Sequence, residues 1–153
     1  MAQLVLGLQR VRSCGTLVVL LHKADAWRSV LLMHTFATFV DNLELFKPRS
    51  GHRTRSSFYL VAKGVRPERD AAVETVRVWK AKWSMATFGL GGDGDEGGPG
   101  ETELEVLESG GLDKIRRVLR EFGPTLVRLV EPVFAIQAAA LKTAPWMKNV
   151  GGS

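Results

Sequence analysis

Cys14-Gly15-Thr16-Leu17-Val18-Val19-Leu20-Leu21 is the stretch that decides the fold class. Ser13-Cys14-Gly15 breaks what precedes it, and Thr16 to Leu21 is an almost wholly apolar run rich in β-formers. Six such residues without polar alternation predict a strand buried on both faces, the mark of a central strand in a parallel sheet. Upstream, residues 3–12 place Leu4, Leu8 and Val11 on one helical face. Downstream, Asp25 can cap a helix in which Ala26, Val30, Met33 and Ala37 recur at helical spacing. Asp41-Asn42 marks a turn, and Leu43-Glu44-Leu45-Phe46-Lys47 reads as a second strand ended by Pro48. Ser57 to Ala62 reads as a third. A strand–helix–strand crossover predicts a parallel pair. The third strand returns after only a loop, so it must run antiparallel to the second. The expected class is α/β, with parallel strands plus one antiparallel hairpin strand.

Beyond residue 66 the pattern turns helical. Pro67 suits a first helical position, and Ala72, Val76, Trp79 and Trp83 form a stripe whose expected role is packing on the sheet. Residues 89–108 are an acidic, Gly-rich linker that cannot bury enough surface to order itself. They hold a literal G-x-G-x-x-G, Gly89 to Gly94, but no strand precedes it and no helix begins at its end, and its acids would repel a pyrophosphate. Asp93, Asp95 and Glu96 lack the spacing of a calcium loop. In residues 109–153, Leu112, Ile115, Leu119 and Phe122 share a helical face, Gly123-Pro124 should stop that helix and start the next, and Pro132 should kink or split that next helix. The organisation read from this is an α/β unit over 1–66, a helix over 67–88, the linker over 89–108 and a helical extension over 109–153.

Composition narrows the function classes. The chain has 153 residues, 45% hydrophobic and 24% charged, the balance of a soluble globular domain. The longest strictly apolar run, Leu17 to Leu21, is too short to span a bilayer. Arg10 and Arg12 follow the first apolar residues, the reverse of a secretory signal. The one cysteine, Cys14, fits a reducing compartment, so an intracellular place, cytoplasmic or nuclear, is expected. The acid-free stretch before Asp25 keeps a mitochondrial address open. His22, His34 and His52 are too scattered to propose a zinc site. Charge is unevenly spread. Residues 1–88 carry 14 Lys/Arg against 6 Asp/Glu, whereas residues 89–113 carry 8 acids and no base. A basic first segment suits a phosphate-bearing partner.

Two blocks resemble a known family. Cys14 to Leu21 resembles a GG-S/T-hydrophobic-VVK strand. Lys47-Pro48 followed by Arg53-Thr54-Arg55-Ser56-Ser57-Phe58-Tyr59-Leu60-Val61-Ala62 resembles a KP…SR..S.E.Y.VA ending. Both belong to the FtsJ-like RNA 2′-O-methyltransferases, and the likeness covers about a third of the chain, residues 14–66. It implies the C-terminal half of a Rossmann-like methyltransferase sheet and transfer of a methyl group from S-adenosylmethionine to a ribose 2′-hydroxyl of RNA. The family builds its cofactor site from its first strands and a glycine-rich turn, so S-adenosylmethionine is the cofactor of the parent domain and no cofactor residue is expected in this chain. Of the family's Lys-Asp-Lys-Glu set, the first two would fall upstream of Met1. The other two align with Leu20 and Ser57, and Lys23 is the nearest catalytic candidate.

The basic loop stands on its own residues. Lys47, Arg49, His52, Arg53 and Arg55 fall within nine positions, after a strand whose carboxyl end should open on the ligand-binding edge of an α/β sheet. These side chains suit an RNA phosphate backbone. Two functions follow as expectations. The chain is a partial methyltransferase domain, inactive alone, whose sheet a protein partner could complete. Alternatively, it is a non-catalytic RNA- or protein-binding module on that fold, with no membrane role.

Overall fold

The structure, a computed structural model, describes residues 2–50, 52–88 and 111–144. It is a mixed α/β fold in which helices lie against one face of a small antiparallel sheet. In chain order the elements are α1 (Ala2–Arg10), β1 (Gly15–His22), α2 (Trp27–Ala37), β2 (Asn42–Phe46), β3 (Ser57–Val65), α3 (Asp70–Phe88) and α4 (Gly111–Lys142). The linker over 89–108, with its G-x-G-x-x-G, lies outside the described residues.

The strand order is β1-β3-β2, with β3 antiparallel to both neighbours. β1 and β2 run the same way, as their helical crossover requires, but they are not hydrogen-bonded to each other. The expected adjacent parallel pair is therefore replaced by two co-directional strands with β3 between them. Burial explains the placement. Phe58, Leu60 and Ala62 of β3 are fully buried, so β3 takes the centre. β2 carries Glu44, and the polar ends of β1 are Thr16 and His22, all tolerable at an edge.

β1 itself corrects a second expectation. It is not buried on both faces but alternates strictly, with Leu17, Val19 and Leu21 turned to the core. Val18 and Leu20 are 59% and 53% exposed. Cross-strand register puts Val18 opposite Val61 and Leu20 opposite Tyr59, with Phe46 on Tyr59's other side. These side chains form an apolar sheet face, of which Val18, Leu20 and Val61 belong to no core cluster among the described residues.

The covered face holds the core. Val5 and Leu8 of α1, Val30, Met33 and Phe36 of α2, Trp79 of α3, and Val118 and Phe122 of α4 pack with Leu60 and Ala62. Three helix boundaries differ from expectation. α2 begins after Ala26 with no side-chain cap from Asp25; Ser29 Oγ instead donates to the His22 carbonyl at 2.9 Å, tying the helix to the strand end. α3 begins at Asp70, after a turn containing Pro67, and its Trp83 is 43% exposed. α4 runs unbroken through Gly123, Pro124 and Pro132. Both prolines are on its exposed side, where water can satisfy the carbonyls they leave unbonded, while Val118, Phe122 and Val133 hold the inner side. Leu112 and Leu119, expected inward, are exposed; the buried stripe runs through Val118 instead. By length and composition alone α4 could also cross a membrane.

The end of the sheet where β1 begins is closed by paired charges. Arg66 donates to Asp41 twice, Nε to Oδ1 at 3.3 Å and Nη2 to Oδ2 at 3.0 Å. Lys63 Nζ donates to both oxygens of Glu44, at 2.8 and 2.7 Å. Gly64, at φ +64°, lies against Asp41 so closely that a Cβ would fall 2.7 Å from the Asp41 Cβ.

Candidate nucleic-acid interface

The opposite end gathers the residues singled out in the sequence. β1 ends at His22, and Lys23 turns out of it at φ +51°, a left-handed conformation that costs a non-glycine residue about 1 kcal/mol. Two backbone bonds hold the turn. The Lys23 N–H donates to the Ser56 carbonyl at 3.1 Å, and the Ala26 N–H donates to the Lys23 carbonyl at 3.0 Å. The catalytic candidate and the end of the basic loop are thus neighbours, because β3 rather than β2 lies next to β1.

Lys47 separates from the other loop cations. It is 3% exposed, and its Nζ donates to the carbonyls of Arg55 and Ser57 at 2.5 and 2.8 Å. Burial pulls its ammonium below the usual lysine range. Its charge pins the two limbs of the loop together, which withdraws it from the set of cations expected to meet phosphate. Arg49, His52, Arg53 and Arg55 remain exposed. Among the described residues no ion pair engages Arg49, Arg53 or Arg55. His52 has φ +37°, so this loop too carries a left-handed non-glycine residue.

α4 crosses this end of the fold. Its Val133, 2% exposed, is seated on Ala24 and Phe58 with Leu21, Leu45 and Val130 around it. A cleft opens on each side of that contact. One, of about 350 Å³, has Lys23, Asp25 and Ser56 on the strand side and Phe134, Gln137 and Leu141 on the helix side. The other, of about 430 Å³, lies between Leu45, Phe46 and Arg49 and the helix residues Pro132 and Ile136. The helix half of both clefts escaped the sequence reading. The only local signal was that Phe134, Ala138 and Leu141 fall at i, i+4 and i+7, a spacing that reads as core. Phe134 and Leu141 are in fact 42% and 37% exposed.

The two positions aligned with family catalytic residues are also placed. Leu20 lies on the same sheet face as Val18, opposite Tyr59, and Ser57 is paired with His22. Neither can supply a base or a carboxylate to a 2′-hydroxyl. No protein-family model, curated protein or solved structure matches the chain.

Proposed function

We propose that this chain is the RNA-contacting, C-terminal portion of a Rossmann-like RNA ribose 2′-O-methyltransferase sheet, holding RNA phosphates through Arg49, His52, Arg53 and Arg55. The observation that carries the proposal is the unneutralised cationic loop beside Lys23, at the carboxyl ends of two co-directional strands. In open α/β sheets that end is where ligands bind. The sheet supports the same reading. A helical crossover joins β1 to β2, and an antiparallel return strand follows, as in the tail of a mostly parallel sheet. The outer edge of β1 has no strand partner among the described residues, and Thr16 to Leu21 contains no charge or proline to guard it. Such an edge accepts further strands, so a protein partner or preceding chain could supply the cofactor-binding half. These residues alone should neither hold S-adenosylmethionine nor transfer a methyl group.

The alternative is an RNA-binding module with no chemistry, and Leu20 and Ser57 favour it. The two readings share the loop. Fluorescence anisotropy of a labelled single-stranded RNA, across a salt series, tests it. Salt-dependent binding that weakens in Arg53→Ala/Arg55→Ala is expected. Binding indifferent to salt or to those changes would remove the loop as the site. Micromolar S-adenosylmethionine binding to this chain in calorimetry would overturn the division of labour.

A further inference from the structure

We infer that the cleft between Lys23 and α4 is a nucleobase pocket, which receives one base of the RNA strand whose phosphates the loop holds. The inference rests on the RNA-binding reading above and adds a site built largely by the C-terminal half of α4. Three observations converge on it.

The first is shape and size. About 350 Å³ lies in the range of small-molecule pockets. On the helix wall Phe134, Ala138 and Leu141 are successive residues of one stripe. The small Ala138 lies between two large side chains along the cleft, and Phe134, which lines it, stays 42% exposed. Aromatic rings left at a surface are the stacking platforms of single-strand binding.

The second is polarity. The strand wall opposite is Lys23, Asp25 and Ser56, and Gln137 reaches in from the helix side. An apolar wall facing a polar one suits a base, which has two π faces and a rim of donors and acceptors. Asp25 would repel a phosphate, so it is assigned to the base edge, where a carboxylate accepts from an exocyclic amine as it does from cytosine N4.

The third is continuity of charge. Ser56 follows Arg55 directly, and its carbonyl is bonded to the Lys23 N–H. A base in the cleft therefore leaves its sugar-phosphate between Lys23 and the loop arginines. The cationic rim and the acidic edge divide one nucleotide between them.

The test is anisotropy with labelled hexanucleotides of cytosine, adenine and uracil. The proteins are the full chain, Phe134→Ala, Phe134→Tyr, Asp25→Asn and Arg53→Ala/Arg55→Ala, each checked for folding by circular dichroism. Phe134→Ala should weaken binding roughly tenfold, the scale of one lost base–aromatic stack, and leave the salt slope unchanged. Phe134→Tyr should restore it. The cytosine and adenine strands should bind tighter than the uracil strand, and Asp25→Asn should shrink that difference. If the arginine variant loses salt-dependent binding while Phe134→Ala binds as wild type, the pocket is refuted and the loop stands. If Phe134→Ala also flattens the salt slope, Phe134 acts through the loop and the pocket is refuted. If the wild-type chain binds none of the three strands, both readings fall.

Discussion

The two ends of this sheet treat their cations in opposite ways. Where β1 begins and β3 ends, two cations of the sheet and its margin are matched to carboxylates: Arg66 to Asp41, and Lys63 to Glu44. Where β1 ends and β3 begins, Lys47 is turned inward onto two carbonyls, and Arg49, Arg53 and Arg55 have no carboxylate partner among the described residues. At the first end Arg66 and Lys63 belong to the fold. At the second, one lysine belongs to the fold and the arginines are available to an outside anion. A count of Lys and Arg along residues 1–88 cannot make that distinction, because it turns on which acids lie within reach in three dimensions.

The largest effect expected is at the closed end. Gly64→Ala must place a Cβ on the Asp41 carboxylate and keep a positive φ. Left-handed strain and overpacking together predict a loss of about 2–5 kcal/mol in urea unfolding. Gly123→Ala is the matching control. Gly123 lies inside α4, where an added Cβ meets nothing within 4 Å beyond its chain neighbours; the helical propensity gained is offset by the Pro124 ring, which disfavours helical backbone for a preceding residue with a Cβ, so the net change should stay within about 1 kcal/mol. A small loss at Gly64 would mean that Asp41 moves aside easily and that this end is less closed than described.

Next is the lysine that crosses from one category to the other. Lys47→Met keeps most of the buried stem and removes the ammonium from the carbonyls of Arg55 and Ser57. Leaving two backbone acceptors short should cost about 2–4 kcal/mol. RNA affinity should fall too, through a loosened loop. Were Lys47 a phosphate contact instead, the variant would keep wild-type stability and lose only binding, which reverses the assignment.

The fate of Lys47 also shows where sequence reading stops. Its strand, its loop and the following Pro48 are legible, because β-formers and breakers act locally. Its burial is not, because the acceptors that draw it inward come from residues eight and ten positions later in a folded hairpin. The sheet order fails for a related reason. Val18 and Leu20 are as apolar as Leu17 and Val19, so nothing in Thr16 to Leu21 distinguishes one buried face from two. The return of β3 antiparallel to β2 was legible from loop length; its insertion beside β1 was not. The loop arginines were legible as a charge cluster. That Lys23 lies beside Ser56 depends on the insertion, and that Phe134 lies across from Lys23 depends on α4 passing through two prolines.

The third prediction separates function from fold at the open end. Arg53→Ala/Arg55→Ala should leave stability within about 0.5 kcal/mol of wild type, as for exposed residues without partners. RNA affinity should fall roughly tenfold, and the slope of log affinity against log salt should shrink by about 1.4, the value for two lost single-strand phosphate contacts. If stability falls and the slope stays, these arginines resemble those of the closed end after all.

The smallest effect expected is the acid limb of unfolding. The Arg66 hydrogen bond holds Asp41 below its ordinary pKa of 3.8, and the Lys63 hydrogen bond does the same to Glu44 from 4.5. A carboxylate whose folded pKa is depressed stabilises the fold above its unfolded pKa and loses that contribution as pH falls through the folded value. The wild type should therefore lose stability below about pH 4.5 as both pairs are protonated. Asp41→Asn should start lower at neutral pH and lose less on acidification, since one of the depressed carboxylates is gone while Glu44, and Glu74 beside Arg77, titrate as before. Both pairs are solvent-exposed, so screening keeps the difference small, and it should narrow further with added salt. Arg53→Ala/Arg55→Ala should leave the acid limb parallel to wild type, because no carboxylate described here relies on those arginines. An acid limb altered by the loop variant but not by Asp41→Asn would place the structural charges at the wrong end of the sheet.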